Sequence, residues 1–335
     1  MKIFLALFIL ILTSSIFYSC KSDEIISPGP ASGFAWSTVA TVNFEDFHNI
    51  YAADENTVVA LGQSASYKIT NGARSTINFN DPIFSADYAD TYSSTYFAFC
   101  GTRYNETGSG TIRMKIYESG TITSAVLDTH NTSYIVDIKI ISPGKIAAVS
   151  YSKFYFYENG AVTAIASPDS FSTGFNNIVV TNNVIYISGA ARKIYKFENN
   201  TLSTVDNLPG TGEYTRMKVP DAIIKAPYSP SPSVVSYWNG AAWSQMFTDN
   251  SRKIFVRAAG ESINFIYFFT VDSTLSNVSG KIWTGSQLMD DTNYPPDDIE
   301  NGIYTTAVSN MRGNTVFISK YGSSKSTIYR GRKNF

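Results

Sequence analysis

Three features of the chain predict an all-β fold, a seven-bladed β-propeller of four-stranded blades closed by its N-terminal strand pairing with the C-terminal blade. Strands ending in an aromatic and running into a two-residue turn built on Gly or Asn recur at Tyr67, Tyr117, Tyr157, Phe197, Trp238, Trp283 and Tyr329. The successive spacings are 50, 40, 40, 41, 45 and 46 residues, and periods of this size mark repeat architectures. Each repeat holds several short β-rich runs and no helical pattern, which points to a closed radial array. The last repeat is one strand short, and the beginning of the domain carries a segment that matches the missing piece.

The third repeat shows the four-strand plan most clearly. Ile135 to Ile141, Lys145 to Ser150, Phe154 to Tyr157 and Ala161 to Ala166 are β-rich runs, punctuated by Ser142-Pro143-Gly144 and by Asn159-Gly160. Asn-Gly between two such runs favours a tight hairpin turn with positive φ. The fourth repeat has the same order: Ile178 to Thr181, Val184 to Ser188, Lys193 to Phe197 and Thr201 to Val205. Equivalent turns are expected at Asn71-Gly72, Ser119-Gly120, Asn199-Asn200, Asn239-Gly240 and Thr284-Gly285.

In the seventh repeat Thr327 to Arg330 reads as a third strand, and Phe335 follows before a fourth can form. Gly33-Phe34-Ala35-Trp36-Ser37 matches Gly240-Ala241-Ala242-Trp243-Ser244, the opening of the fourth strand of the fifth repeat, at four of five positions. Docking this N-terminal strand beside the C-terminal one would remove sheet edges that otherwise pair with other chains.

Closure sorts the connections onto two faces. On one face they are short: Asp54-Glu55-Asn56, Ser142-Pro143-Gly144, Asn182-Asn183 and Asn310 to Asn314, with the Gly and Asn turns. On the other they lengthen to Gly101 through Gly110, Ala226 through Ser233 and Thr270 through Gly280, with Ser167 through Asn176 and Met289 through Gly302 between blades. Long loops on a rigid scaffold are where binding residues concentrate. A binding site is therefore expected on this face, around the mouth of the central channel. The candidate ligand-binding residues are Arg103, Tyr104, Asn105, Tyr228 and Tyr294, because an aromatic beside polar or Pro-stiffened backbone can stack on a sugar or anchor a protein partner. Asp290, Asp291, Asp297 and Asp298, with Glu300, gather enough carboxylate oxygen for a structural Ca²⁺ ion if they converge. No ordered calcium-loop spacing is present, and a solvated acidic loop is the alternative.

Residues 1–19 have the make-up of a signal peptide: Lys2, an apolar run from Ile3 to Leu12, then small and polar residues up to Cys20. The run is shorter than the roughly 20 apolar residues needed to span a bilayer. Phe17-Tyr18-Ser19-Cys20 resembles the lipobox of bacterial lipoproteins, with Phe17 where Leu is usual. Lys21-Ser22-Asp23-Glu24 resembles the charged signal that sends lipoproteins of Bacteroidota to the outer face of the outer membrane. The resemblance implies lipidation at Cys20 by palmitate-like acyl chains, a tether over residues 20–31 containing Pro28, Gly29 and Pro30, and a propeller domain over 32–335 anchored at the cell surface, or on the periplasmic face. Several acyl chains, each CH₂ contributing roughly 0.8 kcal/mol, would hold the anchor stably. Asp272-Ser273-Thr274 resembles the short O-glycosylation pattern of the same bacteria.

Composition agrees with an exported β domain: 44% hydrophobic, 14% aromatic and 16% charged residues. The net charge of -1 gives no electrostatic footprint for nucleic acid. With Cys20 acylated, Cys100 has no disulfide partner and reads as a small buried hydrophobe. Chemistry-bearing motifs are sparse. The two histidines, His48 and His130, lie in no metal or nucleophile pattern, and there is no GxSxG, phosphate loop or nucleotide fingerprint. The aspartate boxes of sialidases, the Trp-Asp dipeptides of WD repeats and the double glycines of kelch repeats are missing. The reading is a monomeric cell-envelope lipoprotein, a rigid binding platform for a glycan or an envelope protein. Two alternatives stay open: a propeller glycoside hydrolase or polysaccharide lyase using carboxylates that converge only in space, and a scaffold that binds protein alone.

Overall fold

The computed structural model describes residues 33–104, 110–129, 134–168, 174–189, 193–207, 214–228, 232–272, 278–298 and 302–334. Twenty-eight described strands form seven four-stranded antiparallel sheets. Blade 1 is β2 (Phe47–Ala52), β3 (Thr57–Gly62), β4 (Ser66–Thr70) and β5 (Ala73–Thr76), and blade 2 is β6 (Phe84–Ser93), β7 (Tyr96–Tyr104), β8 (Gly110–Glu118) and β9 (Thr121–Asp128). Blade 3 is β10 (Ile135–Ser142), β11 (Lys145–Ser150), β12 (Lys153–Glu158) and β13 (Ala161–Ala166), and blade 4 is β14 (Phe175–Thr181), β15 (Val184–Gly189), β16 (Lys193–Glu198) and β17 (Thr201–Asn207). Blade 5 is β18 (Tyr214–Val219), β19 (Ala222–Pro227), β20 (Ser233–Trp238) and β21 (Trp243–Asp249), and blade 6 is β22 (Ile254–Ser262), β23 (Phe265–Val271), β24 (Val278–Trp283) and β25 (Leu288–Asp291). Blade 7 joins both ends of the domain: β26 (Tyr304–Val308), β27 (Thr315–Gly322), β28 (Lys325–Lys333) and, on its outer edge, β1 (Phe34–Asn43). Among the described residues no helix is long and apolar enough to cross a membrane.

The expected closure is observed, with Trp36 opposite Gly331, Ser37 opposite Arg330, Thr38 opposite Tyr329 and Thr41 opposite Thr327. A second lock holds β1 from blade 6. The buried Asp291 carboxylate accepts hydrogen bonds from the Trp36 indole at 2.9 Å, the Tyr267 hydroxyl at 2.6 Å, the Phe34 amide at 3.3 Å and the Asn293 amide at 3.1 Å. Glycine makes this geometry possible: a Cβ on Gly331 would press on the Trp36 ring, and one on Gly280 would overlap the Tyr267 hydroxyl.

The core lies between blades, because strand side chains alternate faces with period two. Along β3, Val58 and Ala60 pack toward blade 7, while Val59 and Leu61 pack toward Phe97 and Phe99 of blade 2. Along β11, Ile146 and Ala148 face blade 2, and Ala147 and Val149 face blade 4. The same arrangement gives a buried cluster at every blade boundary. Cys100 is fully buried in the cluster between blades 2 and 3, and burial pushes its thiol well above the ordinary range.

The turn chemistry holds for four of the seven aromatic repeats. Asn71-Gly72, Ser119-Gly120, Asn159-Gly160 and Asn199-Asn200 all carry positive φ at both positions, as the tight hairpin turn demands. The links after Trp238 and Trp283 are four residues long, 239–242 and 284–287, with positive φ at Gly240 and Gly285. The Asn239 side chain accepts from the Ala241 and Ala242 amides, which stabilises the wider loop. Tyr329 lies inside β28 rather than at its end, because β28 runs on to pair with the whole of β1. All seven aromatics pack at blade boundaries.

Candidate functional site

Strand direction assigns every described connection to one of two faces. First-to-second and third-to-fourth turns emerge on the plain face, and second-to-third and between-blade links emerge on the other, loop-rich face. Of ten large apolar side chains exposed among the described residues, nine lie at the loop-rich end: Phe44, Ile83, Val126, Tyr134, Tyr151, Val205, Tyr228, Val234 and Tyr304. Tyr92, near the end of β6, is the one at the plain end. Single exposed apolar residues are ordinary on a monomer surface; here their placement is one-sided.

The central channel has its own order, generated by a recurring β-bulge. Six of the seven inner strands break register near their loop-rich ends, leaving His48, Asp87, Val136, Asn176, Val256 and Thr306 without a cross-strand partner. A bulge of this kind re-aims the side chains that follow it. The residues after five of these bulges, Asn49, Tyr88, Asp137, Asn177 and Arg257, line one cavity of about 310 Å³. Two positions further on, Tyr51, Asp90 and Lys139 form a second polar layer, while the intervening Ile50, Ala89 and Ile138 are buried between blades. The cavity extends to Pro220 and to Asn310 and Arg312, on first-to-second connections at the plain face.

The channel carboxylates are tied into the wall. Asp90 accepts from the Ile140 amide of blade 3 at 2.7 Å and pairs with Lys139 at 3.4 Å. Asp137 accepts from the Ile138 amide at 2.9 Å and the Ile178 amide of blade 4 at 2.7 Å, and it pairs with Lys218 of blade 5. Burial raises the Asp137 pKa, with Lys218 and the Ile178 amide pulling against it. Arg312 donates to the Ala52 and Thr91 carbonyls. Burial also pushes the Tyr51 and Tyr88 phenols up, with the Asp137 charge adding to the rise; a backbone hydrogen bond from Ala89 opposes it at Tyr51, and the Arg257 charge opposes it at both. At the mouth, burial raises the Asp87 carboxyl and the nearby His48 acts in the opposite direction. Asp90 and Asp137 thus join neighbouring blades: Asp90 reaches blade 3 and Asp137 reaches blades 4 and 5.

The residues expected from sequence fall in different settings. Tyr228 is exposed on the loop-rich face, as expected. Arg103 and Tyr104 belong to β7, which extends past the expected loop start at Gly101, and the Arg103 guanidinium is bound to Asp81 at 3.2 Å. Tyr294 is buried: its ring stacks edge-on against Trp36 at 5.6 Å and its hydroxyl bonds to Thr305 at 2.8 Å. The acidic residues between 290 and 298 do not converge. Asp290 pairs with Lys281 at 2.9 Å, Asp291 is the lock on β1, Asp297 binds Lys320 and Thr305, and the Asp298 backbone bridges to Ile303. Among the described residues no group of three or more His, Cys, Asp or Glu could hold a metal ion. Cys20, Asn105, His130, Ser273, Thr274 and Glu300, with residues 1–31, lie outside the described residues. The channel ring escaped the sequence reading because each strand contributes only one or two of its members. Its trace is an apolar-any-polar-apolar pattern opening the first strand, as in Phe47-His48-Asn49-Ile50, Ile135-Val136-Asp137-Ile138 and Phe255-Val256-Arg257-Ala258.

Ring, bulged inner strands and N-terminal closure define a seven-bladed β-propeller. A scan against protein-family models finds no match, and a search of curated proteins finds none. Among solved structures, the chain is similar to YCF48 from Cyanidioschyzon merolae, with a TM-score of 0.62 at 9% identity over 89% of this chain and 98% of that one. It is also similar to YCF48 bound to D1 peptide, with a TM-score of 0.61 at 10% identity over 90% and 98%. The propeller domain of the Trilobed protease from Pyrococcus furiosus gives 0.62 at 12% identity over 87% and 96%. That domain has an open velcro topology, whereas β1 zips onto β28 here. At such identities the shared property is the fold.

Proposed function

We propose that this chain is a cell-envelope lipoprotein, acylated at Cys20, whose propeller is a rigid platform that binds an envelope protein or peptide through its loop-rich face. The observation that supports this reading is the one-sided placement of exposed apolar groups, nine of ten at the loop-rich end. Tyr is among the residue types enriched at the energetic hot spots of protein interfaces. Packed blade boundaries all round the ring hold the strands that carry these groups, and a rigid scaffold lowers the ordering cost of binding. Propellers of the same fold include one solved bound to a peptide and one from a mitotic checkpoint complex. The hydrolase reading draws no support from Asp90 and Asp137, each of which accepts from an amide of the next blade and pairs with a lysine.

The test is co-purification of the full chain from envelope fractions. A triple variant carrying Tyr134→Ser, Tyr228→Ser and Tyr304→Ser is expected to lose a specific envelope partner that the wild type and Tyr92→Ser retain. Retention by the triple variant would overturn the assignment of the face, and glycan-array binding that disappears with the same tyrosines would move the reading to a sugar ligand. Metabolic labelling with an alkynyl fatty acid tests the anchor: the label is expected on the wild type and absent from Cys20→Ala.

A further inference from the structure

The strongest unassigned feature is the cation balance of the central channel. Although the whole chain carries a net charge of -1, the described cavity wall has four cations, Lys139, Lys218, Arg257 and Arg312, against two carboxylates, Asp90 and Asp137. Three of the cations are committed: Lys139 to Asp90, Lys218 to Asp137, and Arg312 to the carbonyls of Ala52 and Thr91. Arg257 makes no hydrogen bond or ion pair to any described residue, and its side chain is exposed to the channel. It projects from blade 6, and Tyr51 and Tyr88 of blades 1 and 2 line the same cavity.

We propose that this cavity binds a carboxylate group, with the Arg257 guanidinium as the primary donor and the Tyr51 and Tyr88 hydroxyls beside it. A guanidinium presents a planar fork that matches a carboxylate with two parallel hydrogen bonds. Neither resident carboxylate pairs with it: each accepts from an amide of the next blade and is bound to a lysine instead. Unpaired positive charge in a concave, walled cleft focuses attraction for anions. A volume of about 310 Å³ sits at the small end of ligand cavities, which suits a compact organic acid or the carboxylate at the end of a peptide. Those two sources share the recognising chemistry. The site depends on the channel wall and not on the surface tyrosines, so this proposal and the platform reading fail separately.

The experiment is calorimetric titration of the full chain with sodium succinate and, separately, with a short peptide carrying a free C-terminal carboxylate and its C-terminal amide. At least one free carboxylate is expected to bind, with succinate identifying a free acid, and the peptide acid but not the amide identifying a chain terminus. Arg257→Gln is expected to weaken that binding at least about tenfold, with Arg257→Lys between the two because an ammonium cannot form the fork. Tyr88→Phe, which keeps the ring, is expected to weaken it a few-fold and carries the test if Arg257→Gln fails to fold. No binding of either acid, or equal affinity in the wild type and the folded variants, would overturn the proposal.

Discussion

The Trp36 indole nitrogen lies 2.9 Å from the Asp291 carboxylate, 255 residues away in the chain, and donates its hydrogen bond there. Trp36 is on the strand that completes blade 7 and Asp291 is on the outer strand of blade 6, so one bond ties the closing strand to a blade it does not belong to. Phe34, Trp36, Tyr267 and Tyr294 surround the carboxylate with ring contacts of 4.8 to 5.9 Å. Water is largely excluded and the four donors to Asp291 have few competitors.

Removing the acceptor should therefore cost more than removing one donor. Trp36→Phe is expected to lower unfolding free energy by about 2 kcal/mol, the contribution of a hydrogen bond to a charged group. Asp291→Ala leaves Trp36, Tyr267 and two amides without a partner and is expected to cost about 3 kcal/mol or more. Urea unfolding measures both, and an Asp291→Ala change no larger than that of Trp36→Phe would contradict the lock.

Gly280 provides the space through which the Tyr267 hydroxyl reaches Asp291. Gly280→Ala is expected to destabilise by about 2 kcal/mol through overpacking. Combined with Tyr267→Phe, which removes the clashing oxygen, it should cost less than the sum of the two single changes, the signature of direct contact. Additive effects in a double-mutant cycle would show that the clash is elsewhere.

Asp81 ties the link between blades 1 and 2 to β7 and β8 through Arg103 at 3.2 Å and Lys115 at 3.1 Å. Burial pushes its carboxyl up, but Lys115 and Arg103 outweigh it and hold the pKa below the ordinary value. A folded-state pKa below the unfolded one adds stability above the unfolded value of about 3.9, and that stability is lost as pH falls through the folded value. Thermal melts of the wild type and Asp81→Asn from pH 7 down to about 2.5 should converge below roughly pH 4. A gap that stays constant over that range would contradict the ion pairs.

Tyr228 and Tyr294 share a residue type and a Pro neighbour but should behave in opposite ways. Tyr228 is 47% exposed and Tyr294 is 8% exposed. Tyr294→Ala is expected to cost about 3–5 kcal/mol as a large buried ring is lost. Tyr228→Ala should stay within about 0.5 kcal/mol of wild type while weakening partner capture. Equal effects on the melting curve would place the two rings in similar surroundings.

The repeat, the four-strand plan and the closure were readable because they rest on local chemistry: positive-φ turns at Asn71-Gly72 and Asn159-Gly160, alternating runs such as Lys145 to Ser150, and the kinship of Trp36 with Trp243. Tyr294 misled because its neighbours Pro295 and Pro296 describe a loop, whereas its burial comes from Trp36 and Phe269, which arrive from distant sequence. Arg103 sits beyond a Gly that reads as a loop start, yet Gly101 continues β7, in a place where a Cβ would collide with the Ser85 backbone of β6. The channel layers were hidden for a related reason. Asn49, Tyr88, Asp137 and Arg257 meet only after bulges on separate blades turn them inward, and the four-residue trace at the start of each strand does not reveal which strands pair.

The most direct test of the platform is site-specific photo-crosslinking in intact cells, with a photoreactive phenylalanine at Tyr134 or Tyr228 on the loop-rich face and at Tyr92 on the plain face. The account predicts a discrete protein adduct from positions 134 and 228 and none from 92. An adduct from position 92 alone, or equal yields from both faces, would contradict it.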